Sequence, residues 1–339
     1  MKMIGFGDLM VRLSPPGYRR FMQTDHFDIN YTGAEANVCV GLAHMGVAAE
    51  FVTRLPENEI SLAAVSELRR HGVGTEKILF GGDRIGVFYL EKGAAQRPSR
   101  IVYDRKHTSV AESLPEHYDW QSILSGGSWF HITGITPALG DALPSVCADA
   151  CRTARQLGLT VSCDLNYRKN LWSPRQAGAA LRALMPYVDV LIANEEDAEK
   201  VFGIRAADSD VAEGVLSDSG YADVARQIEA QYGVRTVAIS MRRSLSASDN
   251  DWGAMLYCGG KAYYSNRYLI HLVDRVGGGD SFAAGLIYGL MNGFSPQHTI
   301  EYAAAASCLK QTMELDFSLS TVSEVEKLVG GNGSGRIER

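Results

Sequence analysis

The sequence predicts an α/β protein with an open, mostly parallel sheet flanked by helices, together with a small second sheet. From about residue 125 onward, short apolar runs alternate with longer amphipathic ones, which is typical of parallel strands joined by crossover helices. Residues 18–32 and 82–105 instead alternate polar and apolar side chains and are rich in Tyr, Phe and Arg, as in antiparallel strands with one exposed face. With 46% hydrophobic and 21% charged residues among 339, the chain can bury a substantial core.

Short buried runs predict the strands of the main sheet. The first is the N-terminal run 1–7, and the others are 128–133, 160–164, 189–193 and 235–240. The amphipathic stretches predict helices, several of which end at a glycine. They are 34–46, 61–71, 139–157, 174–186, 219–232, 281–292, 297–310 and 322–330. Strands and helices therefore alternate as a βαβ series, which indicates an open α/β sheet.

The N-terminal third contains the strands of the small sheet. Val87, Tyr89 and Glu91 are expected on one strand face. Tyr103 and Arg105 are expected on one face of another strand. We interpret the sheet as an insertion into the α/β body, with one face turned toward a site.

The predicted domain organisation is one α/β domain over residues 1–330. The strands of the small sheet are inserted in it at about 15–33 and 82–110. A glycine-rich segment predicts a flexible tail at 331–339.

Charge and composition exclude several classes of function. The net charge is -6 and the arginine pairs are scattered, so nucleic acid is not an expected partner. No apolar run approaches the roughly 18 to 20 residues that span a bilayer, and the N-terminal segment does not have the pattern of a signal peptide. We therefore expect a cytoplasmic protein with no membrane partner. The six cysteines lack the spacing of a zinc or redox site, which favours reduced core residues.

A glycine turn that leads into an apolar helix carries the strongest signal for chemistry. Gly277, Gly278 and Gly279 let backbone amides approach an anion, and the helix N-terminus adds partial positive charge. Asp280 can accept the proton of an attacking hydroxyl while the amides stabilise a moving phosphoryl group. The alternative is that Asp280 only caps the helix and the glycines only form a tight turn. The usual nucleotide loop Gly-x-x-x-x-Gly-Lys-Ser/Thr and the His-Arg-Asp triplet of protein kinases are both absent from the sequence.

Three segments together resemble the signatures of the ribokinase-like (PfkB) carbohydrate kinases. They are 32–38 (Thr-Gly-Ala-Glu-Ala-Asn-Val), 194–197 (Asn-Glu-Glu-Asp) and 274–285, which contains the glycine turn. Their order matches that of the family across nearly the whole chain. Segments 12–16, 33–37, 103–105 and 162–168 also resemble the branch that acts on 2-keto-3-deoxygluconate. The resemblance implies a ribokinase-like fold with a β-sheet lid over the sugar. It also implies ATP, Mg²⁺ and phosphorylation of a terminal hydroxyl with Asp280 as general base.

The resemblance implies a sugar site shared between the body and the lid. Its members are Gly33, Asn37, Tyr89, Tyr103, Arg105, Arg168 and Asp316. Two arginines suit a sugar acid, because each guanidinium is a permanently charged fork that matches a carboxylate. The alternatives are that each arginine pairs with a surface carboxylate, and that the tyrosines are half-buried strand aromatics.

The nucleotide and metal positions follow from the same resemblance and from polar residues at strand ends. The candidates for ATP are Asn166, Asn194, Ser240, Arg242, Gly277 and Gly279. Asp197 stands where the family motif has Glu, so its carboxylate is one methylene shorter. We therefore expect Mg²⁺ near Asp197 or Glu196, held through water. Asp164 is interpreted as structural and His131 as a hydrogen-bonded core residue.

Two other functions fit the same sequence. One is another sugar kinase of the family, of the fructokinase or ribokinase type. The other is a sugar-acid sensor that kept the fold without turnover, against which Asp280 argues. The lid strands offer unpaired edge groups and aromatic surface, so we expect a homo-oligomer, either a dimer through the lid sheets or a larger assembly.

Overall fold

The computed structural model describes residues 1–206, 218–331 and 333. Its strands are β1 (Lys2–Phe6), β2 (Met10–Ser14), β3 (Asp28–Thr32), β4 (Ala48–Val52), β5 (Arg54–Leu55), β6 (Leu79–Phe80), β7 (Gly86–Glu91), β8 (Arg100–Asp104), β9 (Trp129–Thr133), β10 (Thr160–Asp164), β11 (Val190–Asn194), β12 (Thr236–Ser244), β13 (Asp249–Cys258), β14 (Lys261–Tyr264) and β15 (Tyr268–His271). Its α-helices are α1 (Ala34–His44), α2 (Glu59–Arg70), α3 (Trp120–Ile123), α4 (Leu143–Gln156), α5 (Pro174–Leu184), α6 (Glu195–Asp197), α7 (Asp218–Tyr232), α8 (Gly278–Met291), α9 (Pro296–Lys310) and α10 (Val322–Val329).

A nine-stranded sheet forms the centre of the described chain. Its order is β14-β13-β12-β11-β10-β9-β1-β4, and β15 also pairs with β13. The pairs from β4 to β12 are parallel, whereas β13 runs antiparallel to β12, β14 and β15. Parallel pairs require crossover connections, and the amphipathic segments supply them. The open, mostly parallel sheet confirms the predicted fold class.

A four-stranded sheet in the order β3-β2-β7-β8 forms the lid sheet. The pair β2 and β7 is parallel, and the two outer pairs are antiparallel. The predicted lid ranges began at about residue 15 and therefore missed β2. Four of the five residues of β2 are buried, so this strand lacks the polar and apolar alternation that revealed its neighbours.

Apolar side chains pack on both faces of the main sheet. Neighbouring residues of β1 point to opposite faces, so Ile4 joins one buried cluster and Met3 the other. The first cluster contains residues of α4 and α5 such as Leu181, and the second contains residues of α8 and α9 such as Ile300. Covering both faces is what a parallel sheet of near-continuous apolar strands requires.

The predicted helices are present, with shifted ends where capping side chains set the boundary. Asn58 accepts a hydrogen bond from the Ser61 amide, so α2 begins before the predicted residue 61. Helix α4 begins at Leu143 and not at 139, because residues 136–138 form a separate 3₁₀ turn. The strands β4, β5, β6, β13, β14 and β15 were not predicted.

The structure also bears on the predictions about membrane spans, cysteines and the C-terminal tail. Across the described ranges, no helix is both long and apolar enough to span a bilayer. The six cysteines are free, and four of them are buried. Apart from Gly331 and Gly333, the predicted tail at 331–339 lies outside the described residues.

Candidate active site

A cavity of about 890 Å³ lies between the lid sheet and the carboxyl ends of the parallel strands. The lid side contributes Met10, Phe88, Ile101, Tyr103 and Arg105. The body contributes the start of α1, the ends of β10, β11 and β12, and the glycine turn. Ligands of open α/β sheets bind at this edge, so the described part of the chain places its candidate site where the fold predicts one.

The glycine turn is fixed by the residues beneath it. Gly277 has φ +81°, and a Cβ there would lie 2.0 Å from the carbonyl oxygen of Asp316. The Ser307 hydroxyl donates to the Gly278 carbonyl at 2.7 Å. Gly279, by contrast, has no heavy atom within 4 Å of the position of a Cβ. The turn is therefore packed tightly on one side and open toward the cavity on the other, at the N-terminus of α8, where backbone amides lack helical acceptors.

Asp280 lies in the first turn of α8 and lines the cavity. Its carboxylate accepts a 2.6 Å hydrogen bond from the Asn37 amide. Removal from water raises the pKa of Asp280 to about 7, although Asn37 and the charge of Arg168 favour its ionised form. A carboxylate with a pKa near neutrality is suited to accept a proton from a hydroxyl.

Asn37 is oriented by the start of α1. The Thr32 hydroxyl and the Gly33 amide both donate to its side-chain oxygen, at 2.9 Å and 3.4 Å, which turns its NH₂ group toward Asp280. Gly33 has no room for a side chain, because a Cβ would lie 1.9 Å from the carbonyl oxygen of Asp8. Both residues line the cavity as predicted for a sugar site, and Asn37 additionally contacts the candidate base, which the sequence did not indicate.

Arg105 and Arg168 both line the cavity, and the described residues offer neither of them a salt bridge within 4.0 Å. The guanidinium carbon of Arg105 lies 4.3 Å from the ring centroid of Tyr103, in cation–π geometry. Burial lowers the pKa of Arg105, nearby Asp8 raises it, and Arg168 lowers it again. The two arginines therefore approach each other in the same cavity, which the anion of a ligand would stabilise.

Tyr89 lies on the opposite face of the lid sheet from the one predicted. Its ring packs edge-on against Phe27, at a centroid distance of 5.8 Å, and Phe88 lines the cavity in its place. The register explains this, because Phe88 pairs with Arg12 and Tyr103. Successive side chains of a strand point to opposite faces, so a shift of one residue moves the aromatic contact from Tyr89 to Phe88.

Arg12 connects the lid sheet to the glycine turn. Its buried guanidinium donates to Asp274 at 2.6 Å and makes a short contact with Asp316. Asp316 lines the cavity, and its second carboxylate oxygen has no hydrogen-bond partner among the described residues. The buried ammonium of Lys310 donates to the Asp274 carbonyl at 3.0 Å. Arg12 had no predicted chemical role.

The residues predicted near Mg²⁺ line the cavity, and several of their side-chain oxygens already accept hydrogen bonds from backbone amides. Asn194 accepts the amides of Glu196 and Asp197 at 2.9 Å each. Asp197 in turn accepts the Tyr167 amide at 3.2 Å. Across the described ranges, no three His, Cys, Asp or Glu side chains converge as direct metal ligands. The donor set thus suits a hydrated Mg²⁺, which binds few protein groups and keeps its waters.

Asp164 lies close to this acidic region. Burial raises its pKa well above the usual value, and the neighbouring Asp197 and Asp280 raise it further. It accepts the amide of Asn166 at 3.1 Å, and Asn166 has an unusual φ of +38°. The hydrogen bond to Asn166 agrees with a structural role for Asp164, and the raised pKa shows that its charged form is unfavourable beside Asp197 and Asp280.

Ser240 and Arg242 line the cavity from β12. Arg275, which precedes the glycine turn by two residues, lines it as well. Arg275 was not among the predicted site residues, because the segment was interpreted through its glycines and Asp280 alone. Arginine directly before an anion-binding turn was the signal that could have indicated it.

The model of the pfkB family carbohydrate kinases matches residues 2–321. The chain belongs to this family. It is 30% identical to 2-dehydro-3-deoxygalactonokinase of Haloferax volcanii, with 98% of each chain covered. A solved structure of 2-dehydro-3-deoxygluconokinase from Thermotoga maritima is 50% identical, with a TM-score of 0.94 and 98% of each chain covered.

A more distant structure supports the fold of this carbohydrate kinase. It is a putative ribokinase II from E. coli, solved in complex with ATP and Mg²⁺. It is 19% identical, has a TM-score of 0.81 and covers 97% of this chain and 99% of its own. The resemblance to ribokinase-like kinases read from three short segments is thus confirmed over the length of the chain, and so is its enzymatic class.

Proposed function

We propose that this kinase transfers the terminal phosphoryl group of ATP to the terminal hydroxyl of 2-keto-3-deoxygluconate, with Asp280 as general base. The observation that carries the substrate is the pair Arg105 and Arg168 in the cavity, without salt-bridge partners among the described residues. Buried or like-charged guanidinium groups are unfavourable unless an anion neutralises them. A sugar acid supplies that anion, whereas fructose or ribose does not.

The names of the relatives support a keto-deoxy sugar acid. One is named for the gluconate form and the other for the galactonate form. We take 2-keto-3-deoxygluconate as the first substrate because the relative with 50% identity has that name. The epimer 2-keto-3-deoxygalactonate is the first comparison, since the two differ only in the placement of one hydroxyl.

The proposed mechanism uses Asp280 and the glycine turn together. Asp280 takes the proton of the terminal hydroxyl as that oxygen attacks the terminal phosphorus of ATP in line, and ADP leaves as the bond from that phosphorus to the bridging oxygen breaks. Amides of the glycine turn stabilise the charge on the transferred group. Asn37 holds the Asp280 carboxylate in position, and the lid sheet excludes water, which limits wasteful hydrolysis of ATP.

Asn166, Asn194, Ser240 and Arg242 are proposed to bind ATP. Asp197 and Asp164, with Glu196 at the rim, are proposed to hold Mg²⁺ through its water shell. Bound there, the ion neutralises phosphate charge. The closeness of Asp164 to Asp197, whose charge raises the pKa of Asp164, supports this placement, since a bound cation would relieve the repulsion between the two carboxyl groups.

A cytoplasmic homodimer is the proposed form of the enzyme, assembled through the outer face of the lid sheet. Ile29, Leu13, Tyr89 and Val102 form one cross-strand row on that face. Ile29 is 64% exposed and Val102 55% exposed. An exposed apolar row on a sheet favours contact with a second copy.

The decisive experiment measures ADP release with ATP and Mg²⁺ on 2-keto-3-deoxygluconate, 2-keto-3-deoxygalactonate, gluconate, fructose and ribose. We expect the highest kcat/KM on a keto-deoxy acid. Arg105→Gln and Arg168→Gln should each lower kcat/KM for it by about 10-fold to 100-fold. Arg100→Gln, at the start of the strand β8 that ends immediately before Arg105, lies outside the cavity lining; it is the matched control and should change little. Preference for a neutral sugar would contradict the substrate, and binding without any product would favour the sensor.

A further inference from the structure

Arg275 and Arg242 form a second arginine pair, at the wall of the cavity that is built by β12 and by the segment before the glycine turn. Both line the cavity. Within the described ranges neither takes part in a salt bridge. Burial lowers the pKa of Arg275, and the nearby charge of Arg242 lowers it further. Two permanently charged forks that repel each other across one wall of a cavity form a site that favours an anion.

Strand register shows that this side of the cavity is built by one face of a hairpin. Arg242 of β12 pairs with Trp252 of β13, and the side chains of Ser240 and Asn250 point to the same face. Arg243 pairs with Asp251 on the other face, and neither residue lines the cavity. The alternation of β12 therefore directs one arginine to the cavity and its neighbour away from it.

Arg275 is held in place by a hydrogen-bond chain that reaches the glycine turn. Its guanidinium donates to the Asn250 side-chain oxygen at 3.1 Å. The amide of the buried Asn250 donates to Gln311 at 3.3 Å. Gln311 donates to Ser307 at 3.4 Å, and Ser307 donates to the Gly278 carbonyl at 2.7 Å. The same set of side chains thus fixes both the arginine and the turn.

We propose that Arg275 binds the phosphates of the nucleotide, as the charged counterpart of the amides of the glycine turn, and that Asn250 is its positioning residue. Arg242 contributes a second positive charge from β12. The inference rests on the proposed function only in taking ATP as the phosphoryl donor. It assigns the anion at this pair to the nucleotide and the anion at Arg105 and Arg168 to the sugar.

The geometry favours the nucleotide over the sugar for this pair. Arg275 precedes Gly277 by two residues, and Gly277 and Asp280 both line the cavity at the point where the phosphoryl group is transferred in the proposed mechanism. Ser240, which pairs with Asn194 of β11, lies two residues before Arg242 on β12, and both Ser240 and Asn194 line the cavity.

The test measures binding of adenosine, ADP and the non-hydrolysable ATP analogue AMP-PNP with Mg²⁺ by titration calorimetry. In Arg275→Gln we expect AMP-PNP and ADP to bind about 10-fold to 100-fold more weakly, because one charge-assisted, bidentate contact is lost. Adenosine, which has no phosphate, should bind as to the native protein. Arg275→Lys should recover part of the affinity, since it restores the charge without the fork.

Arg243→Gln is the matched control. It also removes one arginine charge, but from the face of the β12–β13 hairpin that points away from the cavity. It should leave the affinity for AMP-PNP within about 2-fold, as expected for a screened surface charge. Asn250→Ala should lower the affinity for AMP-PNP less than Arg275→Gln does. In a protein that already carries Arg275→Gln, it should cause little further loss of affinity, since the two residues act through one contact.

Equal affinity of native protein and Arg275→Gln for AMP-PNP would overturn the inference while leaving the proposed reaction intact. An equal loss for adenosine would also overturn it, because it would indicate a damaged pocket and no phosphate contact. If the native protein binds none of the three nucleotides, the choice of ATP as donor fails as well. A raised KM for the sugar at saturating ATP would assign Arg275 to the sugar and not to the nucleotide.

Discussion

The glycine turn and the lid sheet line the same cavity but are held in opposite ways. A backbone carbonyl blocks a side chain at Gly277, and Ser307, Gln311 and Lys310 support the turn from within the core. In the lid sheet, every residue of β8 is exposed. A change in the turn therefore disturbs chemistry and folding together, whereas a change in the lid sheet affects one face at a time. In the proposed mechanism, the turn serves phosphoryl transfer and the lid sheet serves recognition of the sugar.

The largest effect is expected for Asp280→Asn. Loss of a general base costs about 10²-fold to 10⁴-fold in kcat, and Asn preserves the shape and the contact with Asn37. Stability should not fall. The carboxyl has a higher pKa in the folded protein, about 7 against 3.8, so its contribution to stability is lost as pH rises through 7. We expect the Tm of the variant at pH 8 to equal or exceed that of the native protein. A kcat within 10-fold of native would contradict the role as base.

The two ends of the glycine turn provide the next comparison. Gly277→Ala requires φ +81° and a Cβ 2.0 Å from a carbonyl oxygen, so the turn must move. We expect kcat to fall by more than about 100-fold, in line with loss of oxyanion-type stabilisation, and the Tm to fall as well. Gly279→Ala meets no atom within 4 Å and should keep the native Tm. Similar Tm values for both variants would contradict this account of the turn.

Substitutions on the two faces of the lid sheet should have different effects. Phe88→Ala removes a cavity wall, so KM for the sugar should rise by about 10-fold, equivalent to about 1.4 kcal/mol of lost apolar contact. Tyr89→Ala alters only the outer face, where its ring meets Phe27. Its KM should stay within about 2-fold of native, while sedimentation should show less dimer. A raised KM for Tyr89→Ala alone would restore the original prediction for that residue.

The smallest effect concerns the pH dependence of the reaction. Because burial raises the pKa of Asp280 to about 7, kcat/KM should fall as the pH drops below about 7 and the base becomes protonated. In Asn37→Ala, the hydrogen bond that favours the carboxylate is lost, so the acid limb should move to higher pH. The shape of the profile is the measurement, since Asn37 can also affect the absolute rate. An acid limb at the same pH in Asn37→Ala and in the native protein would contradict the role of Asn37 in setting the pKa of Asp280.

The sequence predicted the parts whose signals are local. The glycine turn, Asp280 and the alternation of the main sheet are each contained in one short segment, and the structure places them as expected. Strand β2 escaped prediction because it is buried along most of its length. Tyr89 was predicted at the cavity in place of Phe88, because the face to which a side chain points depends on how its strand pairs with its neighbours. A shift of one residue in register turns each side chain to the opposite face.

Contacts between distant segments could not be predicted from the sequence. Arg12 meets Asp316 across 304 positions of the chain, and Asn37 meets Asp280 across 243. No local pattern records such pairs, because they follow from the order of the strands in the two sheets. Arg275 became a candidate only when the cavity showed which residues share a wall.

The sequence by itself indicated the family and the class of reaction, because the three segments that carry the resemblance are short and local. It also predicted the glycine turn, because glycine conformation, helix dipole and a carboxylate at the first turn are properties of a single segment. The tertiary structure decided which face each strand presents, how Asp280 reaches a pKa of about 7, and which arginines share a wall of the cavity. Those features depend on burial and on charges from remote segments, and burial exists only once the chain has folded.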